Sequence, residues 1–505
     1  MNLVITPEAS RLLTGISRIL AEKGIQSYLV GGFVRDVILG RNTDDIDIAA
    51  DAGGTDVAAA VAEALGGRYV LLDEESGVGR VVLNDSESHW QIDFATLQGD
   101  IHKDLSRRDF TIDAMAIELD KITDMVIDIE EIIDPFRGQE DLERGIIKAV
   151  SDTAFTDDAV RLLRGIRMAA ELGLSIDSYT EELITNDSHH IATIAGERVR
   201  EELVKLLAVP DAGEWITYLD KTGILTSLIP ELKPTRGVDQ PRIHVWDVFT
   251  HSLQTVNTVG FILRENELDF AGNEVLEMVP WSEDLQAHFN REMGNRSTRK
   301  SLLKLAALLH DIAKPQTKEI DETGRARFLG HPQDGADLSA LIMERLRFSS
   351  KEIKLVELMV KYHLRPTQMT HEELPSHRAI YRFFRDTGET GIDILFLSLA
   401  DHLATRGPEL DLTQWREHCR MVGYVLEKHA EKENLSAPLK LIDGHDIINR
   451  FRIEPGPEVG NLLEAVREAQ AAVEIGSRQE ALDYIENRLE KEDDSQYKED
   501  NRGEA

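Results

Sequence analysis

The chain has 505 residues, of which 42% are hydrophobic, 30% are charged and only one, Cys419, is cysteine; its formal net charge is −35. At roughly 150 residues per domain this length makes three or four cores, and a single cysteine excludes an intrachain disulfide and fits a reducing cytoplasm. No apolar run approaches the ~20 residues of a membrane span, and Met1–Gly24 spreads Glu8, Arg11, Arg18 and Glu22 through an amphipathic pattern, so neither membrane insertion nor export is expected.

Residues 1–148 alternate strand and helix patterns. Ser27–Val30, Ile46–Ala49, Tyr69–Leu72, Arg80–Leu83 and Gln91–Ala95 read as strands, and Val57–Leu65 reads as a helix. The first strand runs into Gly31-Gly32 and an amphipathic helix carrying Arg35; the second displays Asp45 and Asp47. Side chains at i and i+2 of a strand share a face. Two carboxylates so placed repel unless a cation lies between them, and Mg²⁺ is a usual occupant. Glycines lack the Cβ that would keep a ligand away, so backbone N–H groups at the following helix can approach a phosphate, with Arg35 adding positive charge. Asp93, on the strand Gln91–Ala95, is a third candidate carboxylate.

Gly31-Gly32-Phe33-Val34-Arg35-Asp36, the Leu39-Gly40-Arg41 turn and Asp45-Ile46-Asp47 together resemble the polymerase β-type nucleotidyltransferase head of the class II tRNA nucleotidyltransferase and poly(A) polymerase family. The resemblance implies Mg²⁺ on Asp45 and Asp47 and triphosphate held by Gly31, Gly32 and Arg35; Asp93, on a neighbouring strand, would complete the metal site and help activate the attacking hydroxyl. Arg107-Arg108-Asp109-Phe110-Thr111-Ile112-Asp113-Ala114 resembles the family's second motif, which implies triphosphate or ribose contacts from Arg107 or Arg108 and an orienting role for Asp109. Asp113 stands where the family usually has Asn, so an amide donor is lost there.

From about residue 149 the periodicity turns helical. Asp134-Pro-Phe-Arg-Gly resembles the family's turn into its neck, and Asp157-Asp158-Ala159-Val160-Arg161 resembles its nucleotide-selecting motif, with Asp157 in place of Glu. A spacing of three puts Asp158 and Arg161 on one face of a helix read over 158–172. Cytosine and adenine both offer an amino donor beside an unprotonated ring nitrogen, so a carboxylate and a guanidinium together favour CTP and ATP; uracil and guanine present the reverse. Arg164 follows as a further candidate nucleotide contact. Arg198 and Arg200, in Gly196–Leu207, are candidates for tRNA phosphates or for neighbouring glutamates.

A second constellation lies in the helical body. His251, His310-Asp311 and Asp401 occur in the order of an HD-type phosphohydrolase metal site, which the resemblance extends to His331, His363 and Lys314 as holders of a second metal or a substrate phosphate, with His244 nearby. Four ligands of mixed imidazole and carboxylate character suit a divalent transition metal or Mg²⁺ better than a structural zinc. The acidic stretch Phe261–Lys300 reads as an insertion, a lid or a subunit contact.

The expected architecture is α+β: a nucleotidyltransferase α/β head (1–148), then an all-helical neck (149–235), an HD domain (236–430), a C-terminal helical arm (431–489) and a disordered acidic tail (490–505). The expected function is template-independent addition of C and A, or only A, to tRNA 3′ ends in the cytoplasm, with tRNA, ATP and CTP as partners and a metal-dependent hydrolase in the HD domain. The alternatives are a poly(A) polymerase, disfavoured by the −35 charge for long-RNA binding, or an HD phosphohydrolase or RNA-binding protein with an inactive head.

Overall fold

Apolar residues on both sides of Ser27–Val30 bury all four positions, as the interior of a sheet requires. This segment is β1 of a six-stranded mixed sheet in a computed structural model that describes residues 2–74, 77–84, 89–122, 125–241, 243–294, 296–369, 374–434 and 440–500. The other strands are β2 (Asp45–Ala50), β3 (Arg68–Asp73), β4 (Val78–Asn84), β5 (His89–Thr96) and β6 (Ala116–Glu118), in the order β3-β4-β5-β2-β1-β6. Only β2 and β5 run parallel. Their register sets Asp47 beside Asp93, and β4 sets Arg80 beside Asp93, so three acidic side chains and one guanidinium share a sheet face. The helix Gly54–Leu65 covers the opposite face; a Cβ on Gly54 would lie 2.7 Å from the Phe94 carbonyl oxygen, and one on Gly79 2.8 Å from the Ala58 methyl. Two contributors were not visible as patterns: β6, and the pair Asn2–Val4 with Val126–Asp128.

The chain divides into two compact units, Met1–Val209 with Trp215–Pro230 and Pro210–Glu214 with Glu231–Ala505. In the first, the helices Val160–Leu172 and Gly196–Ala208 are cross-braced by Glu202, which is buried and accepts from Arg164 (3.2 Å) and Arg167 (2.8 Å). A buried carboxylate held by two guanidinium groups keeps its charge, and although burial raises its pKa the two arginines lower it further.

In the second unit, five helices surround one core: Val248–Ile262, Arg299–Leu309, His331–Arg345, Ser350–Tyr362 and Thr390–Arg406. The last is apolar nearly all round and correspondingly buried from Ile394 to Ala400. Thr298 and Ser349 start their helices with reciprocal caps, pairing with Ser301 and Glu352. The body is not wholly helical: short antiparallel pairs form at Glu292–Gly294 with Ser297–Thr298 and at Lys318–Ile320 with Ala326–Phe328, and Ser175–Ile176 pairs with Ile146–Ile147. Strands of two or three residues are too short to display alternation. The stretch 261–300 is part of the core rather than a loose lid, since Val275, Val279 and Phe289 are buried, Phe289 packs edge-on against Phe396, and the Val275 carbonyl accepts from Trp415 Nε1 at 2.9 Å.

In the arm, Ile447, Val459, Leu462, Val466, Ala481 and Ile485 form a separate cluster. The helix that supplies the last two runs Arg478–Asp500, through residues where the sequence predicts disorder. Glu486, Arg488, Glu490 and Lys491 are strong helix formers, and a helix already nucleated on a packed face gains one hydrogen bond per added residue. Residues 501–505 of that expected tail lie outside the described residues.

Candidate functional site

Gly31 sits at the end of β1 with φ +73°, a conformation that side-chain-bearing residues avoid, and a Cβ there would meet Arg108 Nη1 at 2.7 Å and Asp47 Oδ2 at 3.4 Å. Its absent side chain therefore brings a guanidinium and a metal-type carboxylate together over the β1 end. Its N–H is committed to the Met115 carbonyl (3.2 Å), so any backbone donor to a phosphate comes from beyond Gly31. Gly32 begins the helix Gly32–Ile38.

Arg35, expected to add positive charge beside a phosphate, is itself ion-paired in the structure. Its guanidinium is 14% exposed and held by Asp36 (2.9 Å) and Asp113 (2.7 Å), so it braces the second motif against the first. The Asp found where the family has Asn is thus the partner of Arg35; burial raises the Asp113 carboxyl, and Arg35 pulls in the opposite direction. Arg108 is the arginine placed at the carboxylates. It donates from Nη1 to the Asp113 carbonyl (3.4 Å), its Nε is buried without a hydrogen-bond partner, and it lowers the Asp47 carboxyl. Arg107 is exposed, and its carbonyl accepts from Arg161. Asp109 pairs with Arg164 (3.1 Å) rather than with Arg108; burial raises its carboxyl, but Arg164 and the Phe110 N–H outweigh burial, so it stays ionised.

Asp47 carries the electrostatic signature of a cation site. Its carboxyl is raised to about 6, chiefly by burial and also by the nearby Asp93, Asp45 and Asp113, with Arg108 acting in the opposite direction. Neither Asp45 nor Asp47 forms an ion pair among the described residues, so their mutual repulsion is left for a cation to relieve. A carboxyl raised from 3.8 to about 6 on folding contributes stability that is fully present below about pH 4 and lost as pH rises through about 6. Asp47→Asn is accordingly expected to stabilise metal-free protein above pH 6, by on the order of 1 kcal/mol, and so to raise its melting temperature there, with the gain vanishing near pH 4; thermal scans across that range, with chelator, measure it.

Asp158 and Arg161, the candidate nucleotide-selecting pair, are placed differently from the sequence reading. Asp158 does not lie on the helix with Arg161: its backbone is extended (φ −152°, ψ 101°) between Ala154–Asp157 and Val160–Leu172. Asp tends to end or cap a helix because its side chain competes for backbone N–H groups, and here Oδ1 accepts from Val160 N at 3.3 Å. Its partner is Arg198, a bidentate pair at 3.0 and 2.6 Å, rather than the neighbouring glutamates the sequence suggests. Arg161 instead donates to the carbonyls of Ala154 (3.2 Å) and Arg107 (2.7 Å). Arg200 is only 11% exposed and lies 3.9 Å from Glu201, which removes it as a surface phosphate contact. Arg80, which sequence reasoning missed, forks onto Asp93 at 2.6 and 2.8 Å; a basic residue on the strand before Asp93 was the available signal.

In the second unit the HD residues converge. His251 Nε2 lies 3.2 Å from His310 Nε2 and 3.0 Å from Asp401 Oδ1, and His310 Nε2 lies 3.2 Å from Asp311 Oδ2. Ligands about 2.1 Å from one ion stand about 3.0–3.4 Å apart, so this spacing fits a cation. His310, His331 and His363 each direct Nδ1 at the carbonyl three residues earlier, Ala307, Phe328 and Val360 (2.8, 2.6 and 2.6 Å), which fixes the tautomer and leaves Nε2 as the lone-pair atom. Two donor groups result, His251 with His310 and Asp401, and Asp311 with His331 and His363. The Nε2 atoms of His331 and His363 and Asp311 Oδ1 are buried without a hydrogen-bond partner, an arrangement that a bound cation would satisfy. Lys314 bridges Asp311 (2.6 Å) and Gln240 (2.6 Å). Burial, then His310, lowers His363 to about 3, so its imidazole is neutral as a ligand must be. His244 stands with its ring 5.6 Å from that of His251 and is lowered to about 4, chiefly by burial.

Comparison with known proteins places three families along the chain: the Poly A polymerase head domain over residues 27–148, the probable RNA and SrmB-binding site of polymerase A over 173–235, and the HD domain over 248–406. An A-adding tRNA nucleotidyltransferase of Deinococcus radiodurans is 31% identical over 91% of this chain and 94% of its own length. A CC-adding tRNA nucleotidyltransferase of Thermus thermophilus is 31% identical over 91% and 93%. Among solved structures, a Thermotoga maritima CCA-adding enzyme complexed with tRNA superposes with a TM-score of 0.60 at 22% identity, covering 96% of both chains, and a CCA-adding enzyme with CTP superposes at 0.64 with the same identity and coverage. At that identity the likeness is one of fold.

Proposed function

Because the chain belongs to the tRNA nucleotidyltransferase family, with its head, RNA-binding and HD domains in order, we propose that it extends tRNA 3′ ends without a nucleic-acid template, adding C and A or A alone from CTP and ATP. The observation that carries the reading is the carboxylate face: Asp45 and Asp47 without an ion pair among the described residues on β2, beside the half-buried Arg108, at Gly31, where a Cβ would meet the Arg108 guanidinium. When bound there, Mg²⁺ supplies the positive charge that lowers the pKa of a primer 3′-hydroxyl and neutralises departing pyrophosphate. Asp45 and Asp47 are the residues that would hold it.

The chain's own groups do the rest. Arg108, with its unpartnered Nε and its position over Asp47, binds the triphosphate, and Arg35 holds Arg108's backbone partner Asp113 in place. Asp158, gripped by Arg198, accepts from the exocyclic amino group of cytosine or adenine. Arg161 uses one N–H of each terminal nitrogen on carbonyls and retains donors for the ring nitrogen. The base-choosing pair of the sequence reading thus becomes a trio with Arg198.

Two substitutions test this assignment. Arg161→Ala is expected to relax discrimination against UTP and GTP by about tenfold, roughly one good hydrogen bond to a charged donor, more than it weakens triphosphate binding. Arg198→Ala is expected to do the same by releasing Asp158. Competition between labelled nucleotides measures both; unchanged preference in the two variants would make the trio merely structural.

A second reading, for the other unit, rests on the converging HD ligands: a metal-dependent hydrolase of small phosphoesters or 2′,3′-cyclic phosphates. His251, His310, Asp311 and Asp401 would hold a divalent ion, and Lys314 would meet the phosphate.

A further inference from the structure

The three acidic residues on the head's sheet face are not equivalent, because their partners differ. Asp93 receives Arg80 on both oxygens, Nε to Oδ1 at 2.6 Å and Nη2 to Oδ2 at 2.8 Å, while Arg80 Nη1 donates to Gln91 Oε1 at 2.8 Å. This fork follows from strand register: Asp47, Asp93 and Arg80 stand in one row across β2, β5 and β4, and Gln91 lies two residues along β5 on the same face. The Arg80 and Asp93 side chains are 30% and 24% exposed, so the pair is partly shielded. A planar guanidinium bound in parallel to both carboxylate oxygens occupies the directions that a chelated cation would use and cancels the charge that would attract it. Gln91 locks the remaining rotation of the fork. Asp45 and Asp47 have no such partner among the described residues, and the nearest cation to Asp47, Arg108, spends its Nη1 on a backbone carbonyl.

We infer that Arg80 is a positioning residue that holds Asp93 out of the metal shell, so that the head binds its divalent cation through Asp45 and Asp47 without the third carboxylate. The inference rests on the assignment of that Asp pair to the metal. It has a consequence of opposite sign from ordinary damage: removing Arg80 frees a carboxylate beside Asp47 and tightens metal binding, whereas a general loosening of the site would weaken it.

The test is direct binding of Mn²⁺ to the full chain, followed by the electron paramagnetic resonance signal of the free ion, in a background carrying His310→Ala and Asp311→Asn, one substitution in each HD donor group. Asp47→Asn is expected to weaken binding by at least about tenfold and Asp93→Asn by less than about twofold, as befits loss and retention of a ligand. Arg80→Met is expected to tighten binding about threefold or more by restoring a third anionic ligand, and Arg80→Met with Asp93→Asn to return it to the parent value. An Asp93→Asn loss as large as that of Asp47→Asn, or weaker binding in folded Arg80→Met, would overturn the inference. Unchanged binding in Asp47→Asn would remove the underlying assignment, and the inference with it. The near-isosteric Asp93→Asn carries the test if Arg80→Met does not fold.

Discussion

Asp45→Ala and Asp47→Ala are each expected to lower kcat for nucleotide addition by ~10³-fold or more, about 4 kcal/mol of lost transition-state stabilisation, while the protein stays folded and any HD activity stays within error of the parent. The expectation follows from what the site lacks as much as from what it holds. Asp45 and Asp47 form no ion pair among the described residues, Asp93, Asp45 and Asp113 together with burial raise the Asp47 carboxyl, and Arg108 only partly offsets them. Such an arrangement costs folding free energy that an ordinary surface pair would not, and a bound cation is the element that turns the cost into catalysis. A steady-state assay with single labelled nucleotides measures the effect, and a loss below about tenfold in either variant, about 1.4 kcal/mol, would sink the assignment of these residues to the metal.

The second large effect separates the two sites. His310→Ala and Asp311→Ala are expected to reduce metal-dependent hydrolysis of small phosphoesters or 2′,3′-cyclic phosphates to background, at least ~10²-fold, and to leave nucleotide addition unchanged. His310 and Asp311 belong to different donor groups, yet Asp311 Oδ2 also lies 3.6 Å from His251, so one substitution disturbs both groups. The carboxylates of the head lie in a different compact unit. Elemental analysis of protein lacking Asp45 and Asp47 adds a second readout: bound divalent metal in that variant supports an HD centre, and its absence would show the converged ligands to be a relic.

Much of the head was legible because its signals are local. A period of two put Asp45 and Asp47 on one face, and the five strands read from the sequence form within a few residues of their expected limits. What joins strands is not local. That Asp93 stands beside Asp47, and Arg80 beside Asp93, is a matter of sheet order and register, which no window of sequence contains. The helix read over 158–172 failed at its first residues for a local reason: Asp158 interrupts it, and the partner it then finds, Arg198, is 40 residues away. The ion pair that Arg35 makes with Asp113 was not legible, since neither Asp113's proximity nor its burial is written near it. The HD histidines were legible by order alone, and the structure adds the Nδ1 hydrogen bonds that turn their Nε2 atoms inward.

The most direct test of the central claim uses tRNA itself. The full chain, with Mg²⁺, is incubated with one tRNA prepared to end at the discriminator base, at C, or at CC, and each is offered a single labelled nucleotide. Extension with ATP, CTP or both by a defined short addition, with UTP and GTP rejected and Asp47→Ala inert, is the expected result. Failure to extend any of the three ends, or continued addition of A to long non-tRNA RNA in preference to them, would contradict it.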